Sequence, residues 1–259
     1  MAELTPDEAV TYSVTDRIAT ITLNDPAQRN ALSRAIRTGL RNAFSRFEAD
    51  AEARVAILTG SGDRAFCAGA NLKEMAGESL GVPPPGYVAI VGRDVHLSKP
   101  LIGAVNGVAL GGGLLLAQMT DLLVAVEGAI FGMPEGRVGR GAPWSIPLAR
   151  MIPKRIWLEL CLTGEAISAQ RAYEIGFVNH VVPRVELMSA AMKIAQRIVA
   201  NAPLTMSASL KMVAAATEMG QTAAWDEADR LFVPVYESQD ALEGPRAFRE
   251  GRPPHWQNR

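Results

Sequence analysis

The chain has 259 residues, 48% of them apolar and 20% charged, with a formal net charge of −1. That balance is ordinary for a globular protein with a large core. With no Lys/Arg-rich run, it excludes nucleic acid as the main partner. The two cysteines, Cys67 and Cys161, and the three scattered histidines give neither a disulfide framework nor metal-ligand spacing. A reducing compartment and no metal are the expectation. The opening MAELTPDEAV is acidic and carries no apolar run. No apolar stretch reaches the ~18–20 residues of a membrane helix. A cytoplasmic protein with no membrane partner is expected.

In chain order, residues 10–14 and 18–23 are β-rich runs joined through Thr15-Asp16-Arg17, a predicted hairpin. Asn24-Asp25-Pro26 reads as a turn. Ser33 offers a helix N-cap, followed by an apolar stripe of Ile36, Leu40, Phe44 and Phe47 at helical spacing. A short strand is predicted over 55–58, then a surface loop at GVPPPG (81–86), a helix within 86–98, and a strand over 101–105. A triple glycine (111–113) precedes another helix, followed by strands over 122–125 and near 129–131. Up to Gly132 the theme is strand, strand, helix.

Beyond Trp144 the chain reads as mostly helical, with helices over 154–162, 168–175, 185–200, 203–219, 222–236 and 241–250 and one strand over 177–182. Ser168 caps its helix and Gly176 ends it. Strands followed by helices imply an α/β core with a helical C-terminal layer. The late helices carry Trp225, Leu231, Phe232, Val235 and Phe248, which pack either on a core of their own or at a subunit interface.

Two stretches share a design. AFCAGANLKEM (65–75) and NGVALGGGLLLA (106–117) each put small residues on a passage from strand to helix. Small residues let a ligand approach the main chain. The first helical turn has free N–H groups and the positive end of the helix dipole. Two such amides aimed at one point would make an oxyanion hole. Either cluster could instead only let backbone pack on backbone; both in one chain favour function. A third stretch, FGMPEGRVGRGAPW (131–144), sets Glu135 after Pro134 among glycines. It reads either as an acid/base with a raised pKa or as a surface carboxylate paired with Arg137 or Arg140. Walker-type GxxxxGK[ST], GxGxxG and GxSxG patterns are absent.

Together, PAQRNAL (26–32), AFCAGANLKEM, KPLIGAVNGVALGGG (99–113), FGMPEGRVG (131–139) and LTGEAISAQRAYEIGFVNHVVP (162–183) resemble the crotonase superfamily, the enoyl-CoA hydratase/isomerase group. The ordered set spans nearly the whole chain. The resemblance implies an α/β fold: a spiral of β-β-α turns (1–200) holding an acyl-CoA site, then a helical trimerisation region (201–259). It implies a homotrimer, or a hexamer made of two trimers, and so favours the interface reading of the late helices. It also implies an acyl-CoA thioester substrate and no cofactor beyond the coenzyme A that the substrate carries. By motif, the oxyanion amides fall on Ala70 and Gly112, and the acid/base on Glu135. The CoA path falls on Gln28, Arg29, Ala31, Ala65, Ala68 and Leu72.

Departures from the family pattern limit what carries over. Hydratases of this group place a second glutamate in the helix after the triple glycine; Leu115 stands there and cannot accept a proton. Asn71 replaces a common Asp, and Pro143 occupies the place of a later Asp. Gly251 stands where many relatives have a Lys for the CoA phosphate, with Arg249 or Arg252 as stand-ins. Glu74 or Asp94 would replace the missing base only if the fold brought it to the site. Trp144 either stacks on a bulky acyl group or belongs to the core. The expected chemistry is one-base proton transfer, as in an enoyl-CoA isomerase. The alternatives are a hydratase or related lyase acting on an unusual acyl-CoA with differently positioned water, and an inactive acyl-CoA-binding protein.

Overall fold

The N-terminal hairpin forms as expected. After a one-turn helix α1 (Pro6–Ala9), strands β1 (Val10–Thr15) and β2 (Ile18–Leu23) pair antiparallel across Asp16 and Arg17. Those two residues turn the chain at φ of 51° and 65°, the left-handed geometry that a two-residue hairpin needs. Helix α2 (Arg34–Ala49) starts at Ser33, whose hydroxyl accepts from the Ile36 amide at 3.3 Å. Its stripe Ile36, Leu40, Phe44 and Phe47 is fully buried. The cap is worth about 1 kcal/mol, whereas burial of each stripe side chain is worth roughly 1.5–3 kcal/mol. Packing therefore decides this helix and the cap sets where it begins. The computed structural model describes residues 4–77 and 81–259.

The chain then winds between two sheets. Strands β3 (Val55–Gly60) and β4 (Ala65–Cys67) lead to α3 (Leu72–Gly77). Strands β5 (Leu101–Val105) and β6 (Val108–Leu110) lead to α4 (Gly112–Gln118). Strands β7 (Leu122–Val126) and β8 (Ile130–Gly132) begin a third turn. The first strand of each pair joins a six-stranded sheet, order β1-β2-β3-β5-β7-β10. The second joins a four-stranded sheet, order β4-β6-β8-β9. Helices α5 (Leu148–Met151) and α6 (Lys154–Thr163) precede β9 (Ala166–Ser168), α7 (Ala169–Glu174) and β10 (His180–Val182). From β2 onward the larger sheet is parallel. Strands β3 and β5 are buried along their whole length, as befits parallel strands covered on both faces. Helix α8 (Leu187–Val199) packs on that sheet, and α9 (Pro203–Glu218), α10 (Gln221–Tyr236) and α11 (Gln239–Glu250) complete the chain.

Two sequence expectations fail. Residues 86–98 form turns and not a helix: the amides of Arg93, Asp94 and Val95 all fold back on the Ile90 carbonyl. The Asp94 carboxylate accepts from the Ile90 amide at 3.1 Å, and Gly92 sits at φ 87°. Local side-chain bonding of this kind competes with helix formation. The expected strand 177–182 shrinks to β10, because the Phe177 and Val178 amides are taken by the Ala172 carbonyl. Of the late apolar residues, Trp225 is 66% and Phe248 90% exposed, and α10 buries none of its residues. Within one chain these groups do not build a core of their own.

Candidate active site

The spiral brings the two glycine-rich passages together. Strands β4 and β6 are parallel neighbours, so the helix starts that follow them lie side by side. Two buried asparagines fix the crossing. Asn106 accepts from the Gly60 amide at 3.2 Å and donates to the Gly62 and Ala65 carbonyls at 2.9 and 3.2 Å. Asn30 accepts from the Asp25 amide and donates to the Ser61 and Ala65 carbonyls. The Leu32 amide donates to the Gly69 carbonyl at 2.8 Å, and Leu32 bridges Ala70.

Ala70 is exposed and Gly112 half-buried. A methyl group on Gly69 would lie 3.5 Å from the Gly112 nitrogen. Among the described residues neither the Ala70 nor the Gly112 amide donates to another protein group. The triple glycine meets three separate constraints. Gly111 adopts φ +54°, and a methyl there would stand 2.9 Å from Glu135 Oε1; one on Gly112 would strike Leu32; one on Gly113 would strike the Cys67 carbonyl oxygen.

Glu135 therefore lies against Gly111, beside the Gly112 amide. Its Oε2 is buried and accepts no hydrogen bond. Burial pushes its pKa above the ordinary carboxylate value, and a backbone hydrogen bond offsets part of that rise. The surface-pair alternative for Glu135 fails. Arg137 pairs with Glu165 and donates to the Thr163 carbonyl, tying the Glu135 turn to the end of α6. The Arg140 side chain donates to the Gly81 carbonyl.

Leu115 stands one helical turn after Gly111, the residue against which Glu135 lies, and its amide donates to the Gly111 carbonyl at 3.0 Å. Gly111, Leu115 and Gln118 follow at four and three residues, so they share one face of α4. The upper end of that face meets Glu135 at Gly111. Its lower end meets the same segment at Trp144, whose carbonyl accepts from Gln118 Nε2 at 2.6 Å. Leu115 lies between them, 2% exposed, and unlike Leu114 and Leu116 it is outside the main apolar core. The Gln118 tether was missed from sequence; its signal was a lone polar side chain ending an apolar helix. Trp144 packs half-buried against the core.

Neither alternative base is free. Glu74 is ion-paired with Arg37 at 2.9 Å and accepts from the Arg34 amide. Asp94 is held within its own turn. Of the expected CoA path, Arg29 and Ala65 line a cleft of about 220 Å³ with Pro26, Ala27 and residues 61–64. Ala31 and Ala68 do not line that cleft; their amides donate to the carbonyls of Gln28 and Arg29 on the adjoining turn. Gln28 is exposed on the same turn. Leu72, 53% exposed, stands beyond Ala70 and does not line that cleft. Arg252 is engaged by Glu243 and Glu250 and is a poor stand-in for the missing lysine; Arg249 is exposed on α11.

Comparison with known proteins identifies the family. Residues 13–259 match the family described as enoyl-CoA hydratase/isomerase. The chain is 38% identical over 253 residues to enoyl-CoA hydratase EchA19 of Mycobacterium tuberculosis, covering 92% of each. It is also 38% identical over 250 residues to carnitinyl-CoA dehydratase of Salmonella typhi, covering 93% of this chain and 95% of that protein. The crystal structure of enoyl-CoA hydratase EchA1 from Mycobacterium marinum superposes with a TM-score of 0.90 at 36% identity, over 97% of this chain and 100% of that one. The enoyl-CoA hydratase structure from Bacillus anthracis gives 0.89 at 32%, with the same coverage. The spiral of two sheets, the paired strand-to-helix passages and these matches have one conclusion: the chain belongs to the enoyl-CoA hydratase/isomerase family and is an enzyme of CoA thioester chemistry.

Proposed function

We propose that the protein moves the double bond of an enoyl-CoA by one-base proton transfer. The thioester oxygen sits on the Ala70 and Gly112 amides. Glu135 takes a proton from the α-carbon of a 3-enoyl thioester, and the electron pair moves onto the thioester oxygen as an enolate. The carbonyl then re-forms, the double bond shifts to C2–C3, and the same carboxyl returns its proton at C4. A carboxylate with a pKa raised by burial is a stronger base for this step than an exposed one, and preorganised amides stabilise the enolate without reorganisation. The single observation that carries the reading is that Glu135 stands against Gly111 with an unpartnered buried oxygen, while Leu115, one helical turn further on, offers water no base.

A second reading, hydration or dehydration with water positioned by another group, is favoured by the names of the 38%-identical relatives. Turnover of matched 3-enoyl- and 2-enoyl-CoA separates the two. In the isomerase reading the wild type turns over the 3-enoyl compound, and Glu135→Gln still binds it but loses turnover. Unchanged activity in Glu135→Gln refutes any acid/base role for that residue.

The CoA moiety is assigned to the cleft at Arg29 and Ala65, leading toward Ala70, with no cofactor besides the substrate's own coenzyme A. Exposed apolar groups on α9 to α11, Val213, Trp225, Tyr236 and Phe248 among them, support a trimer or a hexamer of two trimers. A patch of that size on a lone chain would mark an association surface. The free thiols Cys67 and Cys161 support a cytoplasmic location.

A further inference from the structure

The Ala70 amide is carried on a segment that has few contacts of its own. Helix α3, directly after it, buries no residue. That segment is fastened to the body of the protein by Arg37 on α2, whose side chain is only 9% exposed. One nitrogen of its guanidinium donates to the Leu32 carbonyl at 2.8 Å, and another pairs with Glu74 of α3 at 2.9 Å. The guanidinium carbon lies 3.9 Å from the centre of the Tyr87 ring. Leu32 is the residue that bridges Ala70 and donates its amide to the Gly69 carbonyl. Glu74 is held a second time by the Arg34 amide at 2.9 Å, and its own amide donates to Asn71, next to Ala70. One planar cation thus grips the chain on both sides of Ala70.

We propose that Arg37 is a positioning residue for the thioester oxyanion: through Leu32 and Glu74 it aims the Ala70 amide at the point that the Gly112 amide also faces. The proposal rests on the reading of Ala70 as an oxyanion donor. A lysine keeps the charge but not the planar fork and ring stacking that this place uses. A misplacement of about 1 Å in such a site costs on the order of a hundredfold in rate.

The test compares binding of free CoA with that of acetoacetyl-CoA, whose enolisable thioester also engages the oxyanion amides. Titration calorimetry is run on wild type, Arg37→Met, Arg37→Lys and Glu74→Gln, each checked for folding by its melting curve. The double variant Arg37→Met/Glu74→Gln removes the charge that Arg37→Met alone leaves unpaired, so one folded variant lacking Arg37 remains even if the single one fails. We expect unchanged affinity for CoA. We expect at least a tenfold loss of the extra affinity for acetoacetyl-CoA in the variants lacking the arginine, with partial recovery in Arg37→Lys. With the 3-enoyl substrate, kcat falls about a hundredfold. Folded variants that keep both the affinity ratio and kcat overturn the proposal, as does a parallel loss of affinity for both ligands, which marks a structural role only. A wild type that binds acetoacetyl-CoA no better than CoA refutes the oxyanion reading itself, and the proposal falls with it.

Discussion

Leu115→Glu puts the missing carboxylate on the face of α4 that looks toward the Glu135 segment. Burying a leucine that is 2% exposed is worth roughly 1.5–3 kcal/mol, and the variant forfeits most of that. A second carboxylate near Glu135 makes the pair titrate as a unit, with one pKa raised further. The variant therefore melts lower than wild type at neutral pH and recovers part of the difference in acid, where the new group is protonated. In return it gains a base for water. General-base help is worth about 10²–10⁴ in rate, so hydration of a 2-enoyl-CoA, followed by loss of the conjugated thioester absorbance, should rise by at least ~10²-fold. Isomerisation of the 3-enoyl compound should not rise with it. A folded Leu115→Glu protein that hydrates no faster than wild type refutes the assignment of Leu115 to the water side. A wild type that already hydrates as fast as it isomerises refutes the one-base reasoning.

The pH dependence follows from the buried Glu135 carboxyl. Its pKa is raised in the folded protein, so the acid limb of the wild-type kcat/KM profile should have its midpoint above the ordinary 4.5. The linkage has the same sign: between 4.5 and the raised value the folded state holds more protons than the unfolded chain, so stability falls as pH rises through that window. Glu135→Gln should accordingly melt higher than wild type at neutral pH and equal to it below about pH 4; a reversed or pH-independent difference refutes the burial argument. Two glycine variants separate site from scaffold. Gly111→Ala, strained at φ +54°, should melt somewhat lower than wild type but still bind CoA, and should lose at least ~10-fold in kcat, because the methyl stands 2.9 Å from Glu135 Oε1. Gly113→Ala, which drives a methyl into the Cys67 carbonyl oxygen, should lower the melting temperature sharply by circular dichroism before any question of activity arises. Normal melting of Gly113→Ala would contradict that close approach.

Much of this protein is legible in its sequence because the signals are local. The hairpin at Asp16 and Arg17, the Ser33 cap with its buried stripe, and the strand-to-helix passages at 65–75 and 106–117 each depend on neighbours within a few residues. The helix expected over 86–98 failed for a local reason that periodicity does not register: Asp94 and Gly92 close the chain into turns around Ile90. The partners of charged groups were not legible, since each is decided by segments far apart in the chain. Glu74 went to Arg37, 37 residues earlier, and to the Arg34 amide on the same helix. Arg137 went to Glu165 and left the Glu135 carboxylate unpaired.

The sequence by itself determined the residue types of the site: two runs of small residues that free a pair of amides, one carboxylate after Pro134, and a leucine in place of a second base. Only the tertiary structure decided that these stretches come together. Parallel pairing of β4 with β6 sets the two amides side by side, and the face shared by Gly111, Leu115 and Gln118 turns toward the segment carrying Glu135 and Trp144. The physical reason is that chemistry belongs to side chains and amides, which the chain spells out one by one. Distance and burial belong to the packing of segments that are remote in sequence, and those set both the reach of Glu135 and its raised pKa.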